Sequence, residues 1–132
     1  MRRLLIPALL VAVGLSGIES AGGTIIVGTR GPDRLAGTSR ADELYGLAGN
    51  DRLQGRAAGD LLDGGLGRDR LSGGSGPDGL VSSGDRRADT LVCGGARDVV
   101  NADLLDRVAA DCEVVSRQIG RASCRERVSS VV

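Results

Sequence analysis

The chain has 132 residues, with 17 basic and 17 acidic side chains, and every basic residue is Arg. It contains 22 glycines and one aromatic residue, Tyr45, which excludes a conventional core of large side chains and leaves one small domain that needs metals, disulfides or partners to fold. The absence of His excludes His-based triads and His-bearing zinc centres, and the absence of Lys excludes a P-loop.

The N-terminus has the layout of a secretory signal peptide over residues 1–21. Two arginines follow Met1, an apolar run extends from Leu4 to about Leu15, and small residues follow through Gly22. A membrane anchor is the alternative, but about a dozen apolar residues fall short of the roughly twenty that cross a bilayer. We therefore expect cleavage between Ser20 and Gly22, no membrane span afterwards, and a secreted, extracellular protein.

A nine-residue unit repeats six times from Gly28 to Val81. Glycine is first, aspartate sixth and leucine eighth in the units GTRGPDRLA, GTSRADELY, GLAGNDRLQ, GRAAGDLLD, GGLGRDRLS and GGSGPDGLV. Positions seven to nine alternate polar, apolar and polar, which is typical of a short half-buried strand, and the glycine-punctuated positions one to six predict a turn. Two units then complete a coil of about eighteen residues, so an all-β solenoid is predicted, with a parallel sheet on each flank and leucines between them. The strand before the first turn is predicted at Thr24–Val27, which is β-branched.

These units resemble the hemolysin-type calcium-binding repeats, the RTX (repeats-in-toxin) family, whose fold is a parallel β-roll. The resemblance covers Gly28 to Val81 strongly and Asp89 to about Asn101 more weakly. It implies that calcium lies between turns n and n+2, held by turn carbonyls and the position-six aspartates. Those aspartates are Asp33, Asp42, Asp51, Asp60, Asp69 and Asp78. A turn-capping role is the alternative for any single Asp. Repulsion between stacked carboxylates further predicts that the chain folds on binding calcium.

Alternate units fall on two edges of the roll, and the two edges differ at position four. On the first edge the turns are 28–33, 46–51 and 64–69, and position four is always glycine. On the second edge the turns are 37–42, 55–60 and 73–78, where Arg40 and Ala58 stand at position four and would be strained at a positive φ. The difference predicts fewer or weaker ions on the second edge, with the best sites between turns 28–33 and 46–51 and between turns 46–51 and 64–69. It also predicts that Asp51→Ala impairs calcium-dependent folding more than Asp42→Ala.

The period slips after Val81. A unit of eleven residues, SSGDRRADTLV, returns Asp89 and Leu91 to register, which predicts a bulge in a turn. The next unit, from Cys93 to Asn101, has Ala96 where the pattern favours glycine, so calcium binding is not expected there. The glycine-free stretch from 102 to 115 predicts a C-terminal cap for the open end of the solenoid.

The last residues, 118–132, do not follow the repeat, and QIGRASCRERV resembles the translated read-through of a sequencing-library adapter. We expect this tail to be non-native and assign residues 22–117 to the β-roll and its cap; a natural basic tail is the alternative. Without Cys124 in the tail, Cys93 and Cys112 remain, and a disulfide between them is expected after export. Two unpaired buried thiols are the alternative.

The repeat region is mildly acidic once both ends are set aside. Residues 22–117 carry 12 basic and 15 acidic residues, a net charge of −3, which suits a calcium ion and not a nucleic acid. No hydroxyl has an evident base partner, and the repeat-spaced carboxylates are engaged if they bind calcium, so we expect no enzyme. Two functions are open: a secreted calcium-binding repeat protein with a structural or adhesive role, or the repeat remnant of a larger secreted hydrolase or toxin whose effector domain lies elsewhere.

Overall fold

A computed structural model describes residues 18–19, 22–82 and 84–118 of the protein. These ranges contain twelve β-strands and no helix. The strands are β1 (Ile18–Glu19), β2 (Thr24–Val27), β3 (Arg34–Ala36), β4 (Glu43–Tyr45), β5 (Arg52–Ala57), β6 (Leu61–Asp63), β7 (Arg70–Ser75), β8 (Gly79–Ser82), β9 (Thr90–Gly95), β10 (Val99–Asp103), β11 (Arg107–Val108) and β12 (Val114–Gln118). Apart from β1 and Gln118, the predicted signal peptide and tail lie outside the described residues.

The strands form the two parallel sheets of a β-roll, as the repeat predicts. The first sheet has the order β1-β2-β4-β6-β8-β10-β12, and the second has the order β3-β5-β7-β9-β11. All pairs are parallel except β1 with β2, which is antiparallel. The predicted first strand, Thr24–Val27, is confirmed as β2. Within the described ranges, no helical segment has the length and hydrophobicity to cross a lipid bilayer.

The position-eight leucines form the core between the sheets. Leu35 pairs with Leu53 and Leu53 with Leu71 in the second sheet, so strands eighteen residues apart lie side by side. These leucines and their counterparts in the first sheet are at most 3% exposed. Burying one such side chain contributes about 1.5–3 kcal/mol, and the roll has no larger side chains for its interior.

The slip after Val81 is absorbed in a turn. Leu91 pairs with Leu71 twenty residues earlier, because the two extra residues lie between β8 and β9. The predicted cap continues the roll: β11 joins the second sheet, where Val108 pairs with Leu91, and β12 joins the first, where Val115 pairs with Val100. The segment without glycine therefore adds one more, shorter coil.

The expected disulfide is confirmed between Cys93 and Cys112, whose Cα atoms are 5.2 Å apart. It links the end of β9 to the turn before β12, so it ties the last coil to the coil below it. Cys93 is fully buried and belongs to the hydrophobic core.

Replacing Cys93 and Cys112 by Ser should lower the free energy of unfolding by about 3 kcal/mol, because the bond closes a loop with a sequence separation of 19. Urea unfolding of the full chain in calcium measures this loss. Cys124→Ser is the matched control and should leave the midpoint unchanged. A loss below about 1 kcal/mol would show that the last coil is held by its strand pairing alone.

Candidate metal centre

The turns stack in two rows, one along each edge of the roll. The first edge carries turns 28–33, 46–51 and 64–69 and a longer turn that ends at Asp89, and the second carries turns 37–42, 55–60, 73–78 and 93–98. Because strands of one sheet are one coil apart, each turn lies directly above the turn one coil earlier. The position-six aspartate ends every one of these turns, so the aspartates also align along each edge.

The aspartates form a hydrogen-bonded ladder along each edge. One carboxylate oxygen, Oδ1, accepts the backbone N–H of the position-six residue one coil earlier, with N···O distances of 2.7 to 2.9 Å. The ladder runs through Asp33, Asp51, Asp69, Asp89 and Asp106 on the first edge, and through Asp42, Asp60, Asp78 and Asp98 on the second. These bonds hold the carboxylates inside the edge, where Asp51 and Asp69 are only 3% exposed.

The second carboxylate oxygen is buried without a partner in most of these aspartates. Oδ2 makes no hydrogen bond in Asp51, Asp60, Asp69, Asp78, Asp89 and Asp98. A buried carboxylate oxygen without a donor or a cation carries a large desolvation cost, and native proteins rarely leave one. Six such atoms in equivalent positions therefore fit a bound cation.

Backbone carbonyls face the same space as these oxygens. A Cβ atom built on Gly46 would lie 2.5 Å from Asp51 Oδ2 and 2.5 Å from the carbonyl oxygen of Gly64. A Cβ atom on Gly67 would collide with the carbonyl oxygen of Gly49, one coil earlier. At Gly46 and Gly67 a side chain would therefore fill a cradle of oxygen atoms. Carboxylate and carbonyl oxygens are the ligands that calcium takes, so the residues fit this ion.

Seven of these eight turns adopt one of two conformations, and the eighth, which ends at Asp89, is lengthened by two residues. In the open turns, positions two and four both have a positive φ: Leu47 (77°) and Gly49 (116°), Arg56 (90°) and Ala58 (78°), Gly65 (84°) and Gly67 (127°), Gly74 (111°) and Gly76 (119°), and Gly94 (104°) and Ala96 (79°). Open turns are therefore 46–51, 55–60, 64–69, 73–78 and 93–98. All five end in an aspartate whose Oδ2 has no partner.

The two remaining turns of the repeat, 28–33 and 37–42, are closed by threonine at position two. The N–H groups of Thr29 and Thr38 donate to Oδ2 of Asp33 and Asp42, at 2.6 and 2.5 Å. The Thr38 hydroxyl also accepts the N–H of Arg40 at 3.0 Å, and no residue of either turn has a positive φ. In closed turns, hydrogen bonds therefore occupy the carboxylate oxygen that open turns leave unpartnered.

The residue at position four predicts that the two edges differ, but open and closed turns occur on both edges. Turn 28–33 has Gly31 at position four but is closed. Turn 37–42 is closed as well, so Arg40 does not adopt a positive φ and is not strained. Ala58 does take a positive φ, at 78°, yet its turn is open. The difference lies along the axis of the roll, with closed turns in the N-terminal coil and open turns after it. The signal in the sequence is Thr at position two, which only the first two units have.

Burial raises the pKa of five aspartates of the ladder. The pKa rises from 3.8 to about 6 for Asp51, Asp69 and Asp78, mainly because burial penalises the charged form. Neighbouring aspartates raise it further, and the backbone N–H on Oδ1 opposes the rise. The pKa of Asp60 also rises for these reasons, and that of Asp89 reaches about 7. Without a bound cation, burial and the neighbouring carboxylates therefore make ionisation of these aspartates unfavourable.

The last coil contains two buried aspartates that the repeat pattern did not reveal. Asp106 accepts the N–H of Asp89 at 2.9 Å, the Ser82 hydroxyl at 2.8 Å and the N–H of Asp103 at 2.6 Å. Asp103 accepts the N–H groups of Gly84 and Arg86. Asp106, Arg107 and Val108 match positions six to eight, but the shortened unit hides this register. Asp106 is the last aspartate of the first-edge ladder. The carboxylate oxygens of both residues accept hydrogen bonds, unlike the unpartnered Oδ2 atoms of the open turns.

Comparison with known families supports the assignment of the repeats. Residues 27–60 and 45–80 match the RTX calcium-binding nonapeptide repeat, which is present in four copies. The chain therefore contains RTX calcium-binding repeats, and the resemblance seen in the sequence is confirmed over this region. No curated protein matches the chain. The matched region contains four of the five open turns.

Proposed function

We propose that this chain is a secreted calcium-binding repeat protein whose folding is completed by calcium ions at its open turns. The observation that carries the proposal is the set of buried Oδ2 atoms without partners. Beside Oδ2 of Asp51, Asp60 and Asp78, a backbone carbonyl of the next coil faces the same space. An ion there would supply the missing partner and offset the repulsion within the ladder. Because the unfolded chain has no such arrangement, the ion would bind the folded state alone and stabilise it.

The open turns define which sites we propose. On the first edge, calcium would bind between turns 46–51 and 64–69, with Asp51 supplying the unpartnered carboxylate oxygen. On the second edge, turns 55–60, 73–78 and 93–98 offer the same arrangement through Asp60 and Asp78. The site between turns 28–33 and 46–51, which the sequence favours, is therefore not among the proposed calcium sites. Turn 93–98 is among them, although the sequence alone does not predict calcium binding there. Asp33 and Asp42 are proposed to close their turns.

The biological role that fits these features is structural or adhesive. The candidate carboxylates are held by backbone hydrogen bonds and, in this proposal, by calcium, which leaves them unavailable for acid–base chemistry, so we propose no enzymatic activity. Export would place the chain where calcium is abundant, and the disulfide supports an oxidising compartment.

Circular dichroism of the full chain tests the proposal. Adding millimolar calcium to the metal-free chain at pH 7 should increase the β-sheet signal strongly, and chelation should reverse the gain. Magnesium at the same concentration is the control and should have a weak effect, because it requires a tighter octahedral site. Identical spectra with and without calcium would contradict the proposed function.

A further inference from the structure

Positive and negative side chains of the roll differ in burial. The twelve arginines of residues 22–117 are all exposed, whereas nine aspartates of this region are buried. Only Asp111 and Glu113 are exposed among its acidic residues, and four others are half-buried. The net charge of −3 therefore describes the whole repeat region but not its surface, where positive charge dominates.

Four of these arginines form a row on the outer face of the second sheet. Arg34, Arg52 and Arg70 pair in register on β3, β5 and β7, and Arg107 continues the row on β11 after Thr90. Neighbouring strands are about 4.8 Å apart, so the arginine row runs along the axis of the roll with an almost regular spacing. All four side chains are exposed.

The arginine row has no acidic partner on its face. Among the residues that the structure describes, the single ion pair joins Arg97 and Glu113, which lie elsewhere. The next outward positions along the same strands are Ala36, Gln54, Ser72 and Val92. Like charges directly opposite one another in a sheet are destabilising, so the row reduces the stability of the roll unless an anion offsets it.

A groove of about 840 Å³ follows the row from β3 to β11. The four arginines line one side, and the position-five residues line the other: Pro32, Asn50, Arg68 and Ala88. Asp33, Asp51 and Asp69 lie between the two sides. Asp51 and Asp69 are each only 3% exposed, with Oδ1 bound to the backbone of the ladder, and Asp33 is half-buried, with Oδ2 bound to the N–H of Thr29. The groove thus presents a long, concave and basic surface.

We propose that this groove binds a linear acidic polysaccharide, whose carboxylate or sulfate groups contact successive guanidinium groups of the arginine row. Arginine binds such groups through paired hydrogen bonds, and a straight row of single charges matches a linear chain of single anionic groups. Single-stranded nucleic acid is a poorer match because its binding grooves use aromatic side chains for base stacking. The only aromatic residue of the chain, Tyr45, lies on β4 of the first sheet.

Binding of a short heparin oligosaccharide to the full chain in calcium, measured by titration calorimetry, tests this proposal. The double variant Arg52→Gln and Arg70→Gln should weaken binding by about tenfold or more and flatten its salt dependence. The matched control, Arg40→Gln with Arg97→Gln, removes the same charge from exposed sites on the second edge, so its binding should change by less than about threefold.

Three results would overturn the proposal. The first is an absence of heparin binding by the unmodified chain, and the second is an equal loss in both double variants, which would show attraction by net charge alone. The third is tighter binding of oligo(dT) or of phosphatidylserine vesicles through the same arginines, which would assign the groove to nucleic acid or to a lipid surface. Circular dichroism in calcium confirms folding of each variant, and Arg52→Gln alone gives a second measurement, expected to show an intermediate loss.

Discussion

Replacing Asp51 by Asn is expected to raise the calcium concentration needed for folding by about tenfold or more, while the metal-free chain becomes no less stable. Asn keeps the Oδ1 acceptor for the N–H of Asp33 and replaces the unpartnered oxygen by a neutral amide. The substitution therefore removes a proposed calcium ligand and, with it, a buried charge that destabilises the metal-free fold. Calcium titrations at pH 7 followed by circular dichroism measure the first effect. Urea unfolding in calcium-free buffer at pH 5, where the Asp51 carboxyl is still protonated in the fold, measures the second.

Asp42→Asn is the matched comparison, because Asp42 occupies the same position in a closed turn. Its Oδ2 accepts from Thr38 and its Oδ1 from Thr24, so an amide would place a donor against a donor. We expect a loss of about 1–3 kcal/mol with or without calcium and a small change in calcium affinity. Equal losses of calcium affinity in the two variants would show that open and closed turns bind the ion alike.

The metal-free chain should lose stability as the pH rises from 4 to 7. The unfolded aspartates ionise near pH 4, whereas the pKa values of Asp51, Asp69 and Asp78 in the fold are about 6. Between these values the folded chain holds more protons than the unfolded chain, so deprotonation favours unfolding. Each such carboxyl corresponds to about 3 kcal/mol, and several together approach the stability of a small domain, about 5–15 kcal/mol.

Calcium should reverse this trend, because the ion competes with protons for the same carboxylates. The stabilisation by calcium is expected to be small at pH 4 and to grow through pH 6, reaching its full size above pH 7, where Asp89 also ionises. Urea unfolding at pH 4, 5, 6 and 7, in calcium-free buffer and in millimolar calcium, gives both curves. A metal-free stability that rises with pH would contradict the origin that we assign to the pKa shifts.

The nine-residue period predicts the fold because it fixes both faces of every strand. Leu53 and Leu71 must point inward together if their units are eighteen residues apart, and the two sheets follow from that alone. The slip between β8 and β9 is also predictable, since Asp89 and Leu91 return to the same spacing. Local strand pattern and global repeat agree along most of the chain, which is the condition under which sequence specifies a structure.

The conformation of each turn was less predictable, because it depends on hydrogen bonds that compete for one carboxylate oxygen. Thr38 closes its turn through its own N–H and hydroxyl, which a pattern built on glycine at position four does not consider. The place of Asp106 in the ladder is not predictable from the nine-residue period, because its unit is shortened. The arginine row is not predictable for a different reason. The net charge of the sequence does not give the charge of the protein surface until the buried aspartates are known.

The closed turns of the N-terminal coil have a consequence for how the roll assembles. Turns 28–33 and 37–42 satisfy their own carboxylates, so this coil can form before any ion arrives and offers a template edge to the next strand. Under the proposed function, each later coil would need only its nearest neighbour and its ion, as in other repeat proteins, where folding spreads from a nucleus. The disulfide secures the opposite end. Calcium would then act on the interior of an array whose first coil is hydrogen-bonded and whose last is covalently fastened, and we expect the roll to grow from its N-terminus.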